Sequence, residues 1–226
     1  VRFKVILVFT FILVFSVSGC AWWKTKGTPA PEQLFDEAYE DYQKGDYGDA
    51  IQLFQKLKEE YPLSKVAILA EMGIADSYYY EEEYGEAETT YTEFINMHPT
   101  NKDIPYAMYQ LSMCHYNQMS DIDRDQSETL KARKEFERLI ARFAESKYVS
   151  MSEKKVIDCK KRLAEHEFYV GNFYFKMKKY KAALKRFETI AKDYADIGLD
   201  YKVNYFIEET KKHLAKEASS KDDKKQ

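Results

Sequence analysis

YGDAIQLFQKLKEEYP at residues 47–62 and YGEAETTYTEFINMHP at residues 84–99 decide the fold, because the second is a variation on the first. Each holds a small residue (Ala50, Ala87), a ring four positions on (Phe54, Tyr91) and a Pro twelve positions on (Pro62, Pro99). The Pro follows a ring in both cases (Tyr61, His98), and a Tyr stands three before the Ala (Tyr47, Tyr84). The series continues as Ala132-x₃-Phe136 and Ala183-x₃-Phe187, with Phe143-Ala144 and Tyr194-Ala195 at the far end. Tyr180 keeps the leading ring and Thr129 breaks it. The signature alanines are 37, 45 and 51 residues apart. Small Ala lets two antiparallel helices approach, the ring one turn later fills the next gap, and Pro stops the helix.

This pattern resembles the second helix of the tetratricopeptide repeat. First helices match more loosely, with Ile74-Ala75-x₂-Tyr78 and Val170-Gly171-x₂-Tyr174 good and Leu34-x₃-Ala38 partial. The residues after Gly45 and the Glu83-Tyr84 pair read as turns between helices. Four pairs then cover residues 32–195, and an amphipathic cap helix covers Tyr201–Glu217. The third pair carries an insertion, Met119–Thr129, and Ser146–Lys179 reads as one long helix. The expected fold is all-α, a right-handed solenoid of about five tetratricopeptide-like units and nine helices over residues 32–217. The polar tail 218–226 is expected to be disordered.

The composition agrees. Only 8 Gly and 5 Pro in 226 residues weigh against a fold of many tight β-turns. A net charge of −3 offers no basic surplus for nucleic acid. At the N-terminus Arg2 and Lys4 precede an apolar run, Val5–Val17, too short to cross a ~30 Å bilayer core. Val17-Ser18-Gly19-Cys20 then resembles a bacterial lipobox. Residues 1–19 are expected to be a signal peptide and Cys20 the lipidated residue. Residues 20–31 would be a tether, with Trp22 and Trp23 at headgroup level. Ala21 after the Cys implies an outer-membrane address facing the periplasm. The covalent lipid is the one cofactor-like group expected.

Chemical motifs fail one by one. Asp121, Asp123 and Asp125 imitate an EF-hand start, but Gln126 and Ala132 stand where Gly and Glu are required. His166-Glu167 begins a zincin motif that ends in Val170. Cys114 and Cys159 lie at helical spacing among apolar residues and read as small core groups, with pairing left open. The sequence holds no Gly-rich phosphate loop, G-x-S-x-G or C-x-x-C. The chain reads as no enzyme.

Lipobox, tether and helix pairs of uneven spacing together resemble the BamD/ComL family. Those are tetratricopeptide lipoproteins of the outer-membrane β-barrel assembly machinery. Tyr61-Pro62, Ile104-Pro105-Tyr106-Ala107-Met108-Tyr109, Asp123-Arg124-Asp125, Ala132-Arg133-x₂-Phe136, Leu163-Ala164-x-His166-Glu167 and Lys185-Arg186 carry the resemblance. Ala144 and Ala195 depart from it, since the family prefers Pro there. The resemblance implies a scaffold that contacts a BamA-like barrel protein through its C-terminal half. Lys185 and Arg186 match the basic partner-binding position. It also implies N-terminal repeats that receive the C-terminal segments of unfolded outer-membrane proteins, and a place beside other assembly lipoproteins. Two readings stay open: another envelope adaptor, serving Tol–Pal or peptidoglycan enzymes, or a periplasmic hydrolase.

Counting first-helix positions against the tetratricopeptide pattern puts Phe35, Tyr39, Tyr42, Leu69, Met72, Tyr79, Tyr106, Tyr109, Met113 and Tyr116 on the inner face. An ordinary exposed helix face would be charged. Phe35, Tyr39, Tyr42, Tyr79, Tyr106 and Tyr109, with Tyr61 at the first helix end, are therefore expected to bind substrate peptide.

Overall fold

The structure is a computed structural model that describes residues 28–195 and 197–222. The signal peptide, Cys20, the tryptophan pair and most of the tether lie outside the described residues, as do residues 223–226. Nine helices follow one another among the described residues. They are α1 (Pro31–Lys44), α2 (Tyr47–Glu60), α3 (Lys65–Tyr80), α4 (Tyr84–Met97), α5 (Ile104–Asn117), α6 (Ser127–Arg142), α7 (Val149–Lys176), α8 (Tyr180–Asp193) and α9 (Asp200–Asp222). Each packs mainly on its neighbours in sequence, with α1 also touching α3. This is an all-α, tetratricopeptide-like solenoid, and α7 is the single long helix that the sequence predicts.

The signature residues are the core of each pair. Ala50, Ala87, Ala132 and Ala183 are fully buried, as are Phe54, Tyr91, Phe136 and Phe187. A further buried position recurs seven residues after each Ala: Leu57, Phe94, Leu139 and Ile190. Ala and its two larger partners form one stripe at i, i+4 and i+7, the spacing of a buried helix face.

Three of the four hairpins turn alike. The residue five before the signature Ala is Gly45, Glu82 or Lys178, at φ of 88°, 63° and 57°. Left-handed backbone at this point lets the next N–H reach back five residues: Asp46 to Asp41, Glu83 to Tyr78, Lys179 to Tyr174. Two orphan carbonyls of the first helix are thereby satisfied, which offsets the strain at Glu82 and Lys178. The leading Tyr then meets the ring five residues earlier edge-on. Tyr47 meets Tyr42, Tyr84 meets Tyr79 and Tyr180 meets Phe175, at 5.6, 5.7 and 5.6 Å. At the opposite edge all four second helices end on the aromatic residue itself. Tyr61, His98, Phe143 and Tyr194 share φ between −136° and −124°. The chain has thus left the helix before position twelve, so Ala144 and Ala195 serve there as well as Pro.

The third pair, where Thr129 replaces Tyr, turns differently. The loop between α5 and α6 is latched to α7. His166 donates Nδ1–H to the Ile122 carbonyl at 2.7 Å, since a carbonyl can only accept. Arg162 lies 3.4 Å from the Ser120 carbonyl and 3.7 Å from the Asp121 carboxylate. The Asp125 carboxylate accepts the Ser127 N–H that opens α6, at 2.9 Å. Asp121 and Asp125 thus both help to fix the loop.

Two boundaries differ from expectation. The helix begins at Pro31, inside the expected tether, because Pro is favoured in a first turn where no N–H is needed. The last helix continues to Asp222 rather than stopping at Glu217, so the expected disordered tail is helical over 218–222. Ion pairs three residues apart (Lys211 with Glu208, Lys212 with Glu209) and the helix formers Ala215–Ala218 support its last turns, and the Ser219 hydroxyl donates back to the Ala215 carbonyl.

Candidate functional site, an aromatic cleft

The first two helix pairs expose rings that elsewhere would be core. Phe35, Tyr39 and Tyr42 follow one another along α1 at helical spacing. Their rings stack nearly parallel, with centroids 6.1 and 6.0 Å apart and interplanar angles of 7° and 18°. From Tyr42 the ribbon passes to Tyr80 and Tyr47, then to Tyr79 and Tyr84, in steps of 5.4–5.9 Å. Asn117 of α5 donates to the hydroxyls of Tyr79 (2.9 Å) and Tyr84 (3.3 Å) and fixes the far end. Tyr39 and Tyr80 remain 45% and 48% exposed, so the ribbon is surface.

Beside it, a cleft opens between α1 and α3. Phe35, Tyr39, Tyr42, Leu69, Met72, Gly73 and Asp76 line it, and Phe54 of α2 forms part of its wall. Gly73 lets the Phe54 ring sit close against α3: a Cβ at that position would lie 2.6 Å from it. Met72 and Leu69 add adaptable apolar surface, the combination of rigid ring and flexible side chain that suits varied peptide ligands.

Asp76 gives the cleft its one charge. Its Oδ1 accepts the hydroxyls of Tyr91 from α4 and of Tyr106 from α5, the second at 2.9 Å. Burial pushes the carboxyl up to about 6, against the pull of those two donors. The same surroundings, burial first and the Asp76 charge second, push the Tyr106 hydroxyl far up, and Tyr91 likewise, so both stay protonated and donate. Burial also raises Tyr42.

The expected peptide-binding residues therefore divide. Phe35, Tyr39 and Tyr42 come together in the cleft, and Tyr79 continues the ribbon. Tyr106 stands behind Asp76 and positions it. Tyr109 belongs to the core instead: it is 9% exposed, with Phe136 and Tyr148 5.8 and 5.3 Å away. Position 109 faces the next pair because Tyr148, before α7, closes over it. Tyr61 is also elsewhere. Its hydroxyl donates to the Pro29 carbonyl at 2.8 Å and ties the start of α1 to the end of α2. Sequence reasoning missed Asp76, Tyr47 and Tyr80. The signal for Asp76 was a lone carboxylate within the apolar α3 stretch Ile74–Tyr80.

At the other end, one Arg186 Nη donates to both oxygens of Glu167, 2.9 Å each, joining α8 to α7. Lys185 is exposed. Tyr169 and Phe173 on α7, and Tyr201 and Tyr205 on α9, are exposed rings that sequence reasoning did not single out. Cys114 and Cys159 are buried free thiols, each pushed up to about 12 by burial. Such thiols are weak nucleophiles at neutral pH.

Helix pairs of this signature, with an aromatic cleft at one end, define a tetratricopeptide-like solenoid. The family model YfiO, described as an outer membrane lipoprotein, matches residues 28–226, and the chain belongs to that family. It is similar to the outer membrane protein assembly factor BamD of Rickettsia prowazekii, 34% identical over 161 residues, covering 71% of this chain and 64% of that protein. The BamD of Caulobacter vibrioides is 26% identical over 180 residues, covering 77% and 59%. That of Neisseria gonorrhoeae is 26% identical over 208 residues, covering 83% and 77%. The matched part thus spans less than two thirds of the first two relatives. Among solved structures, a tetratricopeptide protein of Thermus thermophilus aligns with a TM-score of 0.43 at 15% identity, over 79% of this chain and 99% of that one.

Proposed function

We propose that this chain is a non-enzymatic scaffold of the outer membrane, facing the periplasm, that helps assemble β-barrel proteins. The observation that carries the reading is the aromatic ribbon from Phe35 to Tyr84 beside its cleft. An extended strand of a barrel protein alternates apolar and polar residues, and tyrosines offer it both ring faces and hydroxyls. The relatives' names, assembly factors of outer-membrane proteins, supply the class of ligand. Several rings at about 0.5–1.5 kcal/mol each suit weak, releasable binding. A scaffold needs release, since the substrate has to move on. Lipid on Cys20 would hold the chain at the membrane.

The C-terminal helices are the face for a barrel-bearing partner of the BamA kind. Exposed Tyr169, Phe173, Tyr201 and Tyr205 give it ring surface, and Lys185 gives it charge. Arg186 already serves Glu167, so its contribution to a partner is through the donors left over. The test is co-purification of the lipidated chain from detergent-solubilised membranes. A stoichiometric barrel-domain protein is the expected companion; recovery of only a peptidoglycan enzyme or a Tol–Pal component would reject the reading.

A further inference from the structure

The cleft between α1 and α3 has an anionic floor and no built-in counter-ion. Asp76 is mostly buried, and its two donors, Tyr91 and Tyr106, are neutral and share Oδ1. Among the described residues no ion pair reaches the carboxylate, and Oδ2 takes no hydrogen bond. The titratable groups facing it are Tyr42 from α1, Tyr91 from α4, and Tyr106 and Cys114 from α5. None of these is a cation at neutral pH. The walls are Phe35, Tyr39, Tyr42, Met72 and Leu69.

An uncompensated carboxylate in apolar surroundings is destabilising unless something pairs with it. Two hydroxyl donors soften that penalty without cancelling the charge. The missing partner must bring positive charge and an apolar stem, because it has to pass the rings to reach the floor. A lysine or arginine side chain does both: its methylenes lie along rings while its head pairs with a carboxylate. A free chain terminus would do the opposite, placing a second carboxylate against the first.

We infer that the Asp76 cleft selects a basic side chain within an extended peptide, seating its stem between the α1 rings and α3 and its cationic head on Asp76. The inference rests on reading the cleft as a peptide site and adds what that site recognises. Aromatic residues flanking the basic one lie along the ribbon. The chain's C-terminal carboxylate is kept away from the floor.

The test uses the folded full chain and two fluorescent peptides, identical except for Lys or Gln at one position between aromatic residues, both amidated. At pH 7.5 the Lys peptide is expected to bind at least tenfold tighter than the Gln peptide. Asp76→Asn, which keeps an acceptor for Tyr91 and Tyr106, should bring the ratio of Lys-peptide to Gln-peptide affinity to about one, whatever its effect on the two affinities in common. Wild type at pH 5 should lose it too, because Asp76 is then protonated while lysine stays charged; this arm needs no variant. Equal binding of both peptides by wild type at pH 7.5 would overturn the cation preference while leaving the peptide site standing. An advantage that survives both Asp76→Asn and pH 5 would assign the preference to another carboxylate and overturn the role of Asp76. Failure of both peptides to bind would overturn the peptide site and this inference together.

Discussion

The two ends of the solenoid use aromatic residues in opposite ways. In the C-terminal end Phe187 is enclosed by rings: Phe168 at 5.5 Å and Phe206 at 5.3 Å, with Phe206 also against Phe175. In the N-terminal end Phe54, also buried, has Phe35 at 5.6 Å as its one ring neighbour among the described residues and forms part of the cleft wall. Each signature ring leaves no room for a side chain on a facing glycine: a Cβ at Gly73 would lie 2.6 Å from Phe54, and one at Gly171 2.7 Å from Phe187. What differs is α9, whose Val203, Phe206 and Ile207 seal the last pair. Nothing equivalent covers α1 among the described residues. The same repeat unit makes core where a cap lies over it and leaves rings exposed where none does.

The contrast should be largest in stability. Phe187→Ala removes a fully enclosed ring and should cost about 3–5 kcal/mol in urea unfolding. Tyr39→Ala, on the exposed ribbon, should cost less than ~1 kcal/mol. Similar losses at both positions would mean that the ribbon is core too.

Acid should act through the N-terminal end. The folded chain holds the Asp76 proton more tightly than the unfolded chain, its carboxyl lying near 6 rather than 3.8. Stability tied to this group therefore rises as pH falls from above 6 towards 4, and falls again as pH rises through that window. A shift of about two units corresponds to at most ~3 kcal/mol. Between pH 7.5 and 4.5, wild type should gain stability relative to Asp76→Asn; parallel pH profiles would refute the buried charge.

The glycines sharpen the comparison. Gly171→Ala should cost about 1–3 kcal/mol, because Phe187 is wedged between rings and cannot yield. Gly73→Ala should cost clearly less, since Phe54 can swing towards the cleft. The reverse order in thermal unfolding would contradict the enclosed and open descriptions. Smallest of all, Lys178→Gly should stabilise the chain by no more than ~1 kcal/mol. Relief of left-handed strain there exceeds the extra chain entropy of Gly by little. The same change at Lys161, exposed in the middle of α7, should destabilise by a similar amount.

The helix pairs were readable because a buried stripe demands particular sizes at particular spacings, as Ala50, Phe54 and their counterparts show. Turn geometry was less so. Gly45 announces a left-handed residue, but Glu82 and Lys178 adopt the same conformation under pressure from the hydrogen bonds around them. Inner-face rings could be listed from the repeat, yet not sorted. Tyr109 is buried and Tyr39 exposed because of what packs over each, Tyr148 in one case and open cleft in the other. Tyr61 misled for a similar reason: its partner, the Pro29 carbonyl, belongs to backbone that carries no sequence signal. Asp76 was invisible as a site residue until α4 and α5 brought Tyr91 and Tyr106 to it.

The central claim is that the uncovered rings of the first pair bind extended peptide. Its most direct measurement is the affinity of a labelled peptide from the last strand of a barrel protein, by fluorescence anisotropy, for wild type and a Tyr39→Ala, Tyr42→Ala double variant. With helicity unchanged by circular dichroism, the variant should bind about tenfold more weakly, the loss expected for two ring contacts. Equal affinity in a folded variant would contradict the claim.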